Sequence, residues 1–271
     1  MNDVEKKFFA FVCCSFVIYL FIHGAETKWS IGDPCCTKCG DNHTMCRFKE
    51  LKYGERCIRP TLIQIDNSLM KKIVHTLNFK RNDLGRKLKA TALHYVKWNH
   101  ELQNLANRWA AQCIPERDLC RDRVDSLVGQ LVQRKLSVSL DPSNEILSTI
   151  KSWFYLSNRQ LIRGSGRRYF WVTDSEYFNQ VMLHETKEVG CSALFNIHSQ
   201  SGQRNLHIVC NFVPAILKVD TYLFRTGMPT CSECPPGTKC SSNVFPVLCL
   251  GSERTSYNLR ILTAFLIWAC F

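Results

Sequence analysis

Acidic side chains are scarce in this chain of 271 residues, with 23 Asp and Glu against 35 Lys and Arg and a formal charge of +12. That balance favours acidic partners. Aromatic and basic residues do not interleave as a single-strand platform requires, so nucleic acid is set aside as a partner. No Gly-x-Ser-x-Gly elbow is present. His184-Glu185 begins like a zinc-protease helix motif, but Glu188 stands where the second histidine would have to be. The chain also lacks a clear membrane-length apolar run: Phe8 to Ile22 is short for a span. A hydrolase using another serine, cysteine or histidine arrangement, around His184 and Glu188 for instance, stays open.

Cysteine, by contrast, is abundant. Sixteen are too many for a reduced cytosolic enzyme and point to an oxidising compartment. The N-terminus agrees, since Lys6 and Lys7 precede the Phe8 to Ile22 run and Gly24 and Ala25 follow it, the layout of a secretory signal over residues 1–25. At the other end, Gly251 and Ser252, a polar spacer and the apolar stretch Ile261 to Phe271 give residues 251–271 the layout of a GPI-anchor signal; an unprocessed apolar tail is the alternative. Removal of both ends takes Cys13, Cys14 and Cys270 and leaves thirteen cysteines, an odd number. Cys36, crowded against Cys35, is the candidate for the one left over. Basic clusters at Lys71-Lys72, Arg86-Lys87-Lys89, Arg121 with Arg123, and Arg163 with Arg167-Arg168 fit an acidic protein, acidic glycans or anionic lipid, or simply a solvated surface.

Between the ends lie three stretches of different pattern. Residues 26–66 hold Cys35, Cys36, Cys39, Cys46 and Cys57 with little hydrophobic periodicity, so disulfides must hold this extension; Asn42-His43-Thr44 is a glycosylation sequon within it. Residues 67–222 read as the main domain. A helix capped by Asp66, Asn67 or Ser68 buries Ile73, Val74 and Leu77, and a second carries Trp98, Leu102, Leu105 and Trp109 as one stripe. Cys113 and Cys120 frame a short loop that reads as a structural bridge, and a third helix presents Ile146, Ile150, Trp153 and Phe154. The runs Val189 to Phe195 and Leu206 to Phe212 predict a hairpin that sets Cys191 and Cys210 on neighbouring strands. Residues 211–226 lose regular pattern after Pro214. Residues 223–250 form a second cysteine cluster, Cys231, Cys234, Cys240 and Cys249, read as a small disulfide-knotted appendage.

Taken together, these landmarks resemble the CAP superfamily of cysteine-rich secretory, antigen 5 and pathogenesis-related proteins, and most of all its insect antigen-5-like branch. The resemblance rests on Asp33-Pro34-Cys35 through Cys46, Asn78 with Arg81-Asn82, WNHELQNLANRWAAQC from Trp98 to Cys113, and Asp118 with Arg121 around the cysteine pair. Trp153, Phe178 with Gln180, Val189-Gly190-Cys191, Val209 to Phe212 and Val247-Leu248-Cys249 continue it. It implies a three-layer α/β/α sandwich with disulfide-rich extensions at both ends.

The resemblance also implies a cleft in which two histidines and two glutamates can hold a divalent metal. Those four positions fall on Arg117, Gln130, Leu156 and Tyr177. Such a set offers neither the donors nor the charge that zinc requires, so no metal and no cofactor is expected. The implied function is that of a secreted, non-enzymatic binder of an extracellular protein or peptide, with seminal fluid or reproduction as the favoured setting. Venom or saliva, lipid or sterol carriage, and hydrolysis at an unrecognised site are the alternatives.

Overall fold

The computed structural model describes residues 39–123, 125–136, 141–155, 169–171, 175–198, 201–215, 222–241 and 244–251. The expected signal, Cys35, Cys36, the basic loop at 163–168, Leu156 and the apolar tail lie outside them. Among the described residues no helix is long and apolar enough to cross a membrane.

The fold is built on the predicted hairpin. Strand β6 (Glu188–Ile197) pairs antiparallel with β7 (Arg204–Val213), and the register sets Cys191 directly opposite Cys210, to which it is disulfide-bonded. On the outer side of β7 lies β4 (Gly129–Leu136). The far edge of β6 takes β1 (Thr61–Ile63) at one end and β3 (Lys97–Trp98) at the other. A sheet buried on both faces results, so the alternation that marks a one-sided strand describes only which layer a residue meets.

One layer consists of α2 (Asn67–Lys87), α4 (Pro142–Ser152) and α5 (Glu176–Met182). Asp66 caps α2 by accepting the Leu69 N–H at 2.7 Å, and Arg86 and Lys87 complement the dipole in its last turn. Leu69, Ile73 and Leu77, one turn apart, pack with Ile146, Ile150, Phe178 and Met182 onto Cys191, Ala193, Leu206, Ile208 and Phe212. Burying each large aliphatic or aromatic side chain contributes about 1.5–3 kcal/mol.

The opposite layer is α3 (His100–Ala110). Asn99 caps it, accepting the N–H groups of Glu101 and Leu102 at 2.8 and 3.0 Å. Leu102, Leu105, Ala106, Trp109 and Ala110 are its buried stripe. Trp98 is a correction to the predicted helix: it belongs to β3, because the Asn99 cap starts the helix one residue beyond it. At Gly190 the helix backbone lies directly on the sheet, since a Cβ there would stand 2.1 Å from the Gln103 nitrogen.

The run Asn78, Arg81 and Asn82 ties distant segments to α2. The Asn78 amide both donates to and accepts from the Val96 backbone at 2.8 Å. Arg81 is fully buried and donates to the carbonyls of His94, Val181 and Leu183, the last two at the end of α5, where a cation suits the helix dipole. Burial lowers its pKa to about 9, which leaves it charged at neutral pH. Asn82 accepts from Val247 at 3.0 Å and so anchors the last cysteine cluster.

That cluster is knotted by Cys231–Cys240 and Cys234–Cys249, but it is no detached appendage: β10 (Leu248–Gly251) pairs with β9 (Thr238–Cys240) and runs parallel to β2 (Leu93–His94). Two further expectations are corrected. Cys113 and Cys120 do not bridge each other. Cys113, at the end of α3 with φ of 53°, bonds Cys57, while Cys120 bonds Cys39, so their loop pins the N-terminal extension, including the short helix α1 (Thr44–Arg47), beside α3. Cys46 is oxidised as well. The stretch after Pro214 is not wholly irregular either, for β8 (Tyr222–Arg225) pairs with β5 (Tyr169–Trp171).

Candidate functional site

A cavity of about 210 Å³ opens between the start of β4, the start of α5 and the loop that precedes Cys120. Arg117, Arg121, Gln130, Glu176, Asn179 and Gln180 contribute its polar lining. Two of the four predicted cleft residues, Arg117 and Gln130, therefore share it. Tyr177 does not line it, and Leu156 falls outside the described residues.

Gln130 is buried on β4, and both ends of its amide are in use. Its Oε1 accepts the Asp118 N–H at 2.8 Å and its Nε2 donates to Asn211 Oδ1 at 2.9 Å. Asn211 in turn donates to the Leu102 carbonyl at 3.0 Å, which connects the cleft to α3. Asp118, also buried, accepts from the Thr44 hydroxyl and from the Cys120 N–H. Arg121 Nε donates to the Val128 carbonyl at 2.6 Å and its Nη1 to the Asp118 carbonyl. Burial lowers the pKa of this guanidinium, against the opposing pull of Asp118 and Asp122. The loop is thus fastened to β4 and α1 by bonds that a sequence motif of separate residues does not reveal.

Arg117 projects to the mouth, about half exposed, and pairs with Glu176 on the first turn of α5. Glu176 and Asn179 are site residues that the sequence reading missed; Arg121 and Gln180 carried the resemblance but were given no role. Gln180 Nε2 donates to the Pro214 carbonyl at 3.1 Å, and its amide fills the space where a side chain on Gly129 would stand, 2.1 Å from such a Cβ. Glycine at 129 is what admits it.

Tyr177 turns away from the cavity. Its hydroxyl donates to the Val132 carbonyl at 2.8 Å, and its ring stacks on Trp153 at 6.1 Å. Burial, reinforced by Glu176, pushes its pKa up. The donor set therefore does not fit the divalent metal that the fold family implies. Arg117 brings a cation, Gln130 has its oxygen already bonded, and Tyr177 is held as a neutral phenol.

Other candidate chemistry is dispersed as well. His184 Nδ1 lies 2.9 Å from the Leu223 carbonyl and the ring stacks on Tyr222, whereas Glu188 accepts from Asn99 and Arg123. The sulfurs of Cys231, Cys234 and Cys249 lie within 4.8 Å of one another, but they are spent in two disulfides and offer no thiolate. Asn42 is exposed at the end of a single 3₁₀ turn, Gly40–Asn42.

The profile described as the cysteine-rich secretory protein family, CAP, matches residues 74–212. Venom allergen 5 of Microctonus hyperodae is 27% identical over 184 residues, which cover 64% of this chain and 78% of the relative. Venom allergen 5 of Vespa velutina is 24% identical over 200 residues, 67% and 93% of the two chains. Among solved structures, hookworm platelet inhibitor superposes with a TM-score of 0.52 at 18% identity, over 70% of this chain and 93% of that one. NaASP2 with Zn²⁺ gives 0.52 at 16% identity, over 73% and 99%. These two structures share the fold.

Proposed function

The chain belongs to the cysteine-rich secretory protein family, and we propose that it acts outside the cell by binding a polypeptide rather than by catalysis. The observation that carries this reading is the use of the cleft's polar groups within the fold. Gln130 bridges Asp118 and Asn211, Arg117 meets Glu176, and Tyr177 holds Val132. Among the described residues the one carboxylate that lines the cavity, Glu176, is ion-paired with Arg117, and no imidazole stands in the lining to work beside it as a general base. What the cleft offers instead is a recognition surface: the Arg117–Glu176 pair at the mouth, amides behind it, and Leu119, 93% exposed, in the loop between Arg117 and Arg121.

Secretion is supported by the disulfides of the described chain, which persist in an oxidising compartment. The setting is seminal fluid, a reading drawn from a cleft altered at all four metal positions; venom or saliva is the outcome that tissue-resolved expression would return instead. Purified protein titrated with zinc should show no stoichiometric site at the cleft, and a protease and esterase panel should show no turnover beyond that of the His184→Ala chain. A zinc site lost on Gln130→Ala, or turnover lost on His184→Ala, would overturn the reading.

A further inference from the structure

On the far side of the sheet from the N-terminal extension, the outer face of α2 carries a pattern that packing does not require. At 3.6 residues per turn Lys71, Lys72, His75, Phe79 and Arg86 fall on one side of the helix, and all five are exposed. Phe79 is 52% exposed, its ring stacked at 6.1 Å on His75. The last cysteine cluster adds a second apolar side chain along the same helix. Phe245 packs 5.6 Å from the His75 ring, Val247 bonds Asn82, and Val244, next to Phe245, is left 66% exposed.

Charge brackets this apolar centre. Lys71 and Lys72 lie towards one end and Arg86 towards the other, about 21 Å along the axis from Lys72, with Lys89 just beyond. Asp83 could neutralise the stripe, but its carboxylate is taken by Lys87 at 2.9 Å. Among the described residues Lys71, Lys72, Arg86 and Lys89 enter no ion pair.

We propose that this face docks on an anionic phospholipid surface. Phe79 and Val244 enter the headgroup boundary while the cations at both ends of the helix meet the lipid phosphates and carboxylates. A linear sulfated polysaccharide fits less well, since its charges would run over an apolar centre instead of an unbroken cationic track. The inference does not rest on the cleft, which involves none of these residues.

Co-sedimentation of the full chain with phosphatidylcholine vesicles, with and without phosphatidylserine, tests it. The chain's apolar ends are common to every variant, so differences between variants report on this face. Lys71→Gln with Lys72→Gln should lower partitioning onto the anionic vesicles roughly thirtyfold, at about fivefold per cation, and leave neutral vesicles unchanged. Phe79→Ala should lower it about fivefold. Lys52→Gln, in the extension beside the end of α3, should change nothing. All these sites are exposed, and near-ultraviolet circular dichroism confirms that each variant is folded. Unchanged partitioning of the double lysine variant overturns the proposal. So does a Phe79→Ala chain that partitions like the parent while the lysine changes abolish binding to an immobilised sulfated polysaccharide, a result that assigns the face to glycan.

Discussion

The two faces of the central sheet are built by different rules. Towards α2, α4 and α5, β6 and β7 present Val189, Cys191, Ala193, Phe195, Leu206, Ile208, Cys210 and Phe212, an apolar surface closed by one disulfide. Towards α3, the alternate positions include Ser192, Asn196, Asn205, His207 and Asn211, joined by Gln130 and Arg134 from β4, and the five from β6 and β7 are buried as deeply. Apolar packing is non-directional, so the first face needs volume and shape. A buried amide or imidazole is costly unless bonded, so the second face depends on particular partners at particular registers, which Gln130, Asn211 and Asn196 find, while Ser192 Oγ, Asn205 Oδ1 and His207 Nε2 are left without one. The candidate cleft grows from the second face: Gln130, Asn211 and Asp118 are one connected network reaching from α3 to the cavity.

The sharpest way to break that contrast is to make equally modest changes on both sides. Gln130→Leu deprives the Asp118 N–H and Asn211 Oδ1 of their partners, and two unsatisfied buried groups should cost about 2–6 kcal/mol. Ile208→Leu on the other face conserves volume and should cost less than about 1.5 kcal/mol. Urea denaturation of the two variants gives both numbers. Equal losses would show that the polar network does not set the register of that face.

The same contrast explains what the sequence made legible. The core of α3 could be read because Leu102, Leu105 and Trp109 recur at helical spacing, and the hairpin because its apolar runs are bounded by turn residues. Strand β4 could not be read, since Gln130, Gln133, Arg134 and Lys135 interrupt it and look like surface. In the fold they meet Asn211, Trp153, the Cys113 carbonyl and Glu145. Bridge pairing was also hidden, because Cys39 and Cys120 are 81 residues apart and nothing local couples them. In the cleft, motif alignment singled out Arg117 and Gln130. Glu176, 59 residues from Arg117, has no sequence signal as its partner, and Tyr177 faces Val132 through a rotation that alignment does not convey.

A second test uses pH. His207 is fully buried, its Nε2 has no hydrogen-bond partner, and Arg134 lies 3.4 Å from its Nδ1; burial first, then Arg134, lowers its pKa to about 3. The unfolded chain binds a proton near the ordinary histidine value of about 6.5, which the folded chain refuses until far lower pH. Its contribution to stability is therefore complete above about pH 6.5 and lost as pH falls, at about 1.4 kcal/mol per pH unit, or about 2 kcal/mol by pH 5. His94, lowered to about 4 by burial and then by Arg81, His184 and Lys187, adds a slope of the same sign. His207→Leu should flatten the acid limb measured by chemical denaturation between pH 7 and 5, as expected for this range. An unchanged limb would mean that the polar face hydrates or opens before it resists protonation.

The smallest expected effect lies where the polar face reaches solvent. Arg117 and Glu176 form an ion pair with both side chains about half exposed, so solvent screens it, and a double-mutant cycle of Arg117→Gln and Glu176→Gln should return a coupling below about 1 kcal/mol. The network a few residues away behaves otherwise, because Asp118 and Gln130 are buried and a hydrogen bond is stronger in a low-dielectric interior. A coupling near that of the buried network would make the mouth part of the scaffold. A small one leaves Arg117 as a group the fold does not need, at the rim of the cavity and two residues along the chain from the exposed Leu119.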